Sequence, residues 1–255
     1  MKALWPFRRR KAPVRLPEGD GLPRIAVLGT LRSGTNLVRR LVETHWQVTA
    51  DFSPYGWKHA GVPIFSPDSG YRYPGVPILY VVKNPHACML SLYRYRMLAK
   101  TRGHRISIEG EDTLERFLTS PVTVYDSQLP GSPRLRFANP VQYWNFVNCN
   151  LELLEAPAFA VRGINYDDLI ADLESLRVVE DFGPFARRGA VIRLPDAPMR
   201  RDTDATMMRS QSDESFSADY YTARRYLNDL TAEQIAFISD QADGWLMTRR
   251  GFQRF

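Results

Sequence analysis

Gly29-Thr30-Leu31-Arg32-Ser33-Gly34-Thr35-Asn36 joins a short apolar run, Ile25 to Leu28, to a segment with helical periodicity, Thr35 to Thr44. Where a polar glycine turn links a buried strand to a helix, free backbone N–H groups converge on one point and the helix dipole adds positive charge there. Such a turn suits an anion, phosphate above all. Arg32 puts a cation inside it, and Ser33 and Thr35 add hydroxyls. A nucleotide triphosphatase loop, G-x-x-x-x-G-K-[ST], would place lysine after the second glycine and a metal-binding hydroxyl next. Here Thr35 and Asn36 hold those positions, which disfavours a standard ATPase or GTPase.

A second cation ends another apolar run, in Ile78-Leu79-Tyr80-Val81-Val82-Lys83-Asn84-Pro85, and Ser91 follows Lys83 by eight residues. A strand-end ammonium and a hydroxyl two turns into the next helix can reach one phosphate. Between these units, residues 51–76 are rich in proline and glycine and hold Trp57-Lys58-His59-Ala60-Gly61. Loops that long are usually functional. An imidazole titrating near 6.5 offers a neutral base at physiological pH. His59 is such a base or a loop histidine without chemistry.

The elements that must hold these groups read as strand–helix alternation. Residues 86–100 predict a helix begun by Pro85, Thr113 to Leu118 and Pro140 to Leu154 two more, Ala158 to Val161 a third core strand, and Asn165-Tyr166-Asp167-Asp168-Leu169 a further helix start. From Thr231, a capped C-terminal helix aligns Ile235, Ile238, Ala242 and Trp245 on one face. The expected fold class is α/β, a three-layer α/β/α domain around a mainly parallel sheet. Residues 1–22 read as a basic flexible lead-in, 195–215 as a surface segment, and 23–255 as one domain. The chain has 255 residues, a formal charge of +6, 44% hydrophobic and 24% charged residues, all within the ordinary globular range. No run is long enough to span a bilayer and no secretory signal is evident, so a cytoplasmic protein is expected. Arg8, Arg9, Arg10 and Lys11 are either a solvated arm or a peripheral membrane contact. Cys88 and Cys149 are expected to be reduced core residues, and the four histidines show no metal-ligand spacing.

Arg32-Ser33-Gly34-Thr35-Asn36 resembles the 5′-phosphosulfate loop of sulfotransferases, which use 3′-phosphoadenosine 5′-phosphosulfate (PAPS) and typically read [KR]-[ST]-G-[TS]-[TN]. Lys83 and Ser91 are similar to that family's 3′-phosphate arginine and serine, with lysine keeping the charge but losing the bidentate fork. His59 resembles the catalytic base of a Lys-Thr-His-Leu-Pro-like segment, 24 residues before Lys83. Tyr166-Asp167-Asp168-Leu169 is similar to a family Tyr-Glu-Asp-Leu, and Leu114 to Trp144 to the acceptor-contacting stretch. Leu37 stands where an adenine-stacking Trp is common, and no Arg-Lys-Gly segment is evident, which leaves Arg200, Arg201 or Arg209 to add a phosphate contact. The resemblance implies a P-loop NTPase-like sulfotransferase fold, PAPS as donor and no metal. It implies Arg32, Ser33, Gly34, Thr35, Asn36, Lys83 and Ser91 on the donor, with His59 and Arg32 in catalysis. Lys58 would be a second cation on the leaving group or a solvent-facing charge. The acceptor would offer a hydroxyl or amine on a glycan, glycolipid or small metabolite, to which Tyr71, Tyr73, Tyr93, Tyr125, Tyr143 and Trp144 lend aromatic surface if they are not core. The alternatives are a P-loop nucleotide or small-molecule kinase, and a non-catalytic nucleic-acid-binding module supported only by charge.

Overall fold

The structure is a computed structural model that describes residues 21–52, 54–62, 75–155, 160–194 and 218–255. The basic run Arg8 to Lys11, Tyr71, Tyr73, and the segment with Arg200, Arg201 and Arg209 lie outside the described residues. The strands are β1 (Arg24–Gly29), β2 (Thr49–Asp51), β3 (Ile78–Val82), β4 (Ile108–Glu109), β5 (Val122–Val124), β6 (Leu135–Phe137) and β7 (Val161–Asn165). The helices are α1 (Thr35–His45), α2 (Pro85–Thr101), α3 (Leu114–Thr119), α4 (Pro140–Leu154), α5 (Tyr166–Ala171), α6 (Ala218–Thr222), α7 (Ala232–Gln241) and α8 (Gly244–Arg249). Two 3₁₀ stretches, Leu173–Phe182 and Arg225–Asp229, complete the described elements.

The main sheet is all parallel, in the order β2-β1-β3-β7. Its central strands carry unbroken apolar runs because both faces are covered: Ile25 to Leu28 and Ile78 to Val82 are all buried. From β1 the chain runs through α1 to β2 on one side. From β3 it leaves through α2 and ends at β7 on the other. The turns after β1 and β3 therefore part at the carboxyl edge, and the crevice between them is where open parallel sheets receive ligands. Both candidate loops begin there. Helix α2 also supports the first loop directly: the Cys88 Sγ lies 3.7 Å from Thr30 Oγ1 and 3.6 Å from the Leu31 carbonyl.

Two expectations are corrected and one element is added. The late core strand is Val161–Asn165 rather than Ala158 to Val161. The C-terminal helix is two, because Ala242 adopts an extended conformation and the Asp243 carboxylate caps α8, leaving Trp245 half exposed and off the α7 face. A second sheet, antiparallel in the order β4-β5-β6, packs beside α3 and α4, and its two- and three-residue strands carry no readable alternation. Both cysteines are free, Cys88 buried and Cys149 half-buried. Among the described residues, no helix is long and apolar enough to cross a membrane.

Candidate functional site

Arg32 and Gly34 both take the left-handed conformation, at φ 67° and 100°, with Ser33 between them. Alternating hand turns successive N–H groups toward one side, an anion-binding curl of backbone. Gly34 is demanded twice over. Its φ favours glycine, and a Cβ there would overlap the Tyr166 ring. Gly34 is also the N-cap of α1 and offers no side-chain acceptor, whereas the other long helices, α2, α4 and α7, are capped by Asn84, Asn139 and Thr231. Among the described residues, no N-cap side chain closes the first turn of α1, which faces the crevice. Ser33 Oγ is buried and has no hydrogen-bond partner among the described residues. Arg32 reaches across to α2, with its Nε 3.5 Å from Ser91 Oγ and its guanidinium 5.3 Å from the centre of the Tyr95 ring.

The segment with His59 is pinned against this loop. The Gly29 N–H donates to the Lys58 carbonyl at 3.1 Å, and His59 Nδ1 meets the Gly29 carbonyl at 2.7 Å. A carbonyl only accepts, so Nδ1 carries the proton and Nε2 is the basic atom of the neutral ring. Burial and the Lys58 ammonium hold the His59 pKa well below 6.5, opposed by the carbonyls of Gly29 and Thr30, with Arg32 adding a smaller push downward. Trp57 stands edge-on to the imidazole at 5.4 Å. Lys58 is half-buried: its Nζ donates to Asn36 Oδ1 at 2.9 Å and lies 3.5 Å from the centre of the Phe52 ring, which brings a cation to the first turn of α1.

Sequence reasoning missed the residues that brace this arrangement. Tyr143 is fully buried, and its hydroxyl accepts the Leu31 N–H at 3.0 Å while donating to the His59 carbonyl at 2.9 Å. The adjacent Trp144, also fully buried, donates its indole N–H to the Lys83 carbonyl at 3.0 Å. Neither is acceptor surface. One turn of α4 holds all three candidate segments, and only the aromatic pair at the start of that helix hinted at it.

Lys83 and Ser91, expected to share a partner, part company. Ser91 faces Arg32. Lys83 is buried, its Nζ donating to Tyr221 Oη at 3.0 Å between the rings of Tyr166 and Tyr221, whose centres lie 4.7 and 4.5 Å away. No family model, curated protein or solved structure matches this chain. The site therefore stands on its own geometry. Near Lys83, Asp167 is half-buried, its Oδ1 has no hydrogen-bond partner among the described residues, and burial raises its pKa to about 6 against the pull of Lys83. Tyr166 connects the two halves, touching Gly34 with one edge and lying under the Lys83 ammonium. A single aromatic ring thus separates the open helix terminus from the second cation. Among the described residues, no group of three or more His, Cys, Asp or Glu side chains is placed to hold a metal.

Proposed function

We propose that this chain is a PAPS-dependent sulfotransferase, a three-layer α/β/α domain of the P-loop-like sulfotransferase kind. The observation that carries the reading is the open α1 terminus with Arg32, set one tyrosine ring from the buried cation Lys83 in the crevice of a parallel sheet. That span suits the 5′ and 3′ phosphates carried by one ribose. The donor's 5′-phosphosulfate would lie on Arg32, Ser33, Gly34, Thr35 and Asn36, and its 3′-phosphate at Lys83. Ser91 then belongs with Arg32 at the 5′ side.

In the reaction the acceptor oxygen or nitrogen attacks sulfur as the bond from sulfur to the bridging phosphate oxygen breaks. The acceptor proton passes to His59 Nε2. The departing electron pair stays on the phosphate oxygen, where Arg32, the α1 terminus and Lys58 offset the new charge. The products are the sulfated acceptor, a glycan, glycolipid or small metabolite, and adenosine 3′,5′-bisphosphate.

A kinase reading has one observation in its favour: Lys58 brings an ammonium to the first turn of α1, where Thr35 replaces the usual loop lysine. Calorimetric titration separates the two. We expect adenosine 3′,5′-bisphosphate to bind tightly without magnesium and ATP to bind weakly with or without it. Magnesium-dependent ATP binding with no response to the bisphosphate would overturn the sulfotransferase reading in favour of the kinase.

A further inference from the structure

An arginine fork offers an anion two parallel donors from one side chain, whereas a lone ammonium offers a point charge. At position 83 the structure supplies the second donor from another element. Tyr221, on α6, sets its hydroxyl 3.0 Å from Lys83 Nζ. The phenol oxygen accepts from that ammonium. A phenol oxygen that accepts from an ammonium keeps its own O–H to give, and the adjacent ammonium polarises that bond and strengthens it as a donor. Ser91, the other candidate for this role, is turned to Arg32.

From this juxtaposition we infer that Lys83 and Tyr221 together form a composite two-donor clamp for a phosphate monoester, with Tyr221 a ligand-contacting specificity residue contributed from α6. The inference rests on the donor-site reading above. The clamp has a size limit as well. The Tyr166 and Tyr221 rings meet edge to face at 4.9 Å and enclose Lys83, leaving a box that fits a compact ammonium. A guanidinium in it would displace the Tyr221 ring. Arginine at position 83, which supplies a fork by itself, is thus incompatible with tyrosine at 221 and useful once that ring is gone.

The test is calorimetric titration with two probes, adenosine 3′,5′-bisphosphate and adenosine 5′-phosphate, which lacks the 3′ group. Wild type should strongly prefer the bisphosphate. Tyr221→Phe, which removes one oxygen, should weaken bisphosphate binding about tenfold and leave the 5′-phosphate unchanged, as expected for one lost bond to a charged group. Lys83→Arg alone should also weaken the bisphosphate, and Lys83→Arg with Tyr221→Ala should bind it more tightly than Tyr221→Ala alone. Unchanged bisphosphate affinity in Tyr221→Phe, an equal loss for both nucleotides, or tighter binding by Lys83→Arg alone would overturn the clamp. A wild type that does not distinguish the two probes would overturn the 3′-phosphate reading itself, a pattern visible before any variant is made. Should Lys83→Arg fail to fold, Tyr221→Phe still decides.

Discussion

On the reading proposed above, burial prepares His59 as a base rather than silencing it. Its Nδ1–H is committed to the Gly29 carbonyl, so protonation at Nε2 would place a full charge in a buried site next to Lys58. The imidazole therefore stays neutral into acid, and the acid limb of kcat/KM should fall below the 6.5 of an ordinary histidine. A pH–rate profile with its acid limb at or above 6.5 would count against His59 as the base. His59→Ala should lower kcat by about 10²- to 10⁴-fold, the usual worth of a positioned base, while bisphosphate binding measured by calorimetry persists. Turnover retained in that variant would move the role elsewhere.

Helix α4 carries the burden of alignment. Asn139 caps it, Pro140 starts it, and the next turn sends Tyr143 to the anion loop and the His59 segment and Trp144 to Lys83. Tyr143→Phe keeps the ring but leaves the buried Leu31 N–H and His59 carbonyl without their partner, at a cost of about 1–3 kcal/mol for an orphaned buried group. Urea unfolding should read that loss, and kcat should fall more than donor affinity because the base and the loop lose a shared anchor. A variant as stable and as active as wild type would refute the bracing role. The elements themselves were unequally legible. Ile25 to Leu28 and Ile78 to Val82 announce buried parallel strands, and Pro85, Pro140 and Thr231 mark helix starts, all found where expected. Strand β7, Val-Arg-Gly-Ile-Asn, does not look like core because its neighbours occupy the space a side chain would fill: a Cβ on Gly163 would overlap Tyr80 and Arg250. The same limit hid Tyr221. It lies 138 residues from Lys83, and no local spacing encodes a contact made across the sheet edge.

The whole molecule holds opposed titrations. His59 and His86 are both buried as neutral rings, His86 lowered to about 4 chiefly by burial, so their contribution is present above 6.5 and lost as pH falls. Asp167 acts in reverse. Its pKa is raised from 3.8 to about 6, so its contribution is complete below 3.8 and disappears as pH rises through 6. In the acid range below 6 the unfolded chain thus binds more protons on the two histidines, and the folded chain keeps more on Asp167. The two histidines therefore make stability rise with pH, and Asp167 flattens that rise. Below 4.5 the buried Glu152 adds to the same trend, because Arg249 and Arg250 hold its carboxylate below its ordinary value against the cost of burial. Asp167→Asn removes the opposing titration, so its stability should climb more steeply with pH below 6. Denaturant unfolding at a series of pH values measures both slopes, and equal slopes would mean that Asp167 does not keep its proton in the folded protein. Its place beside Lys83 gives the difference a functional side. An ionised Asp167 would compete with a bound phosphate for that ammonium, so the same substitution should also flatten the decline in bisphosphate affinity expected as pH rises through 6.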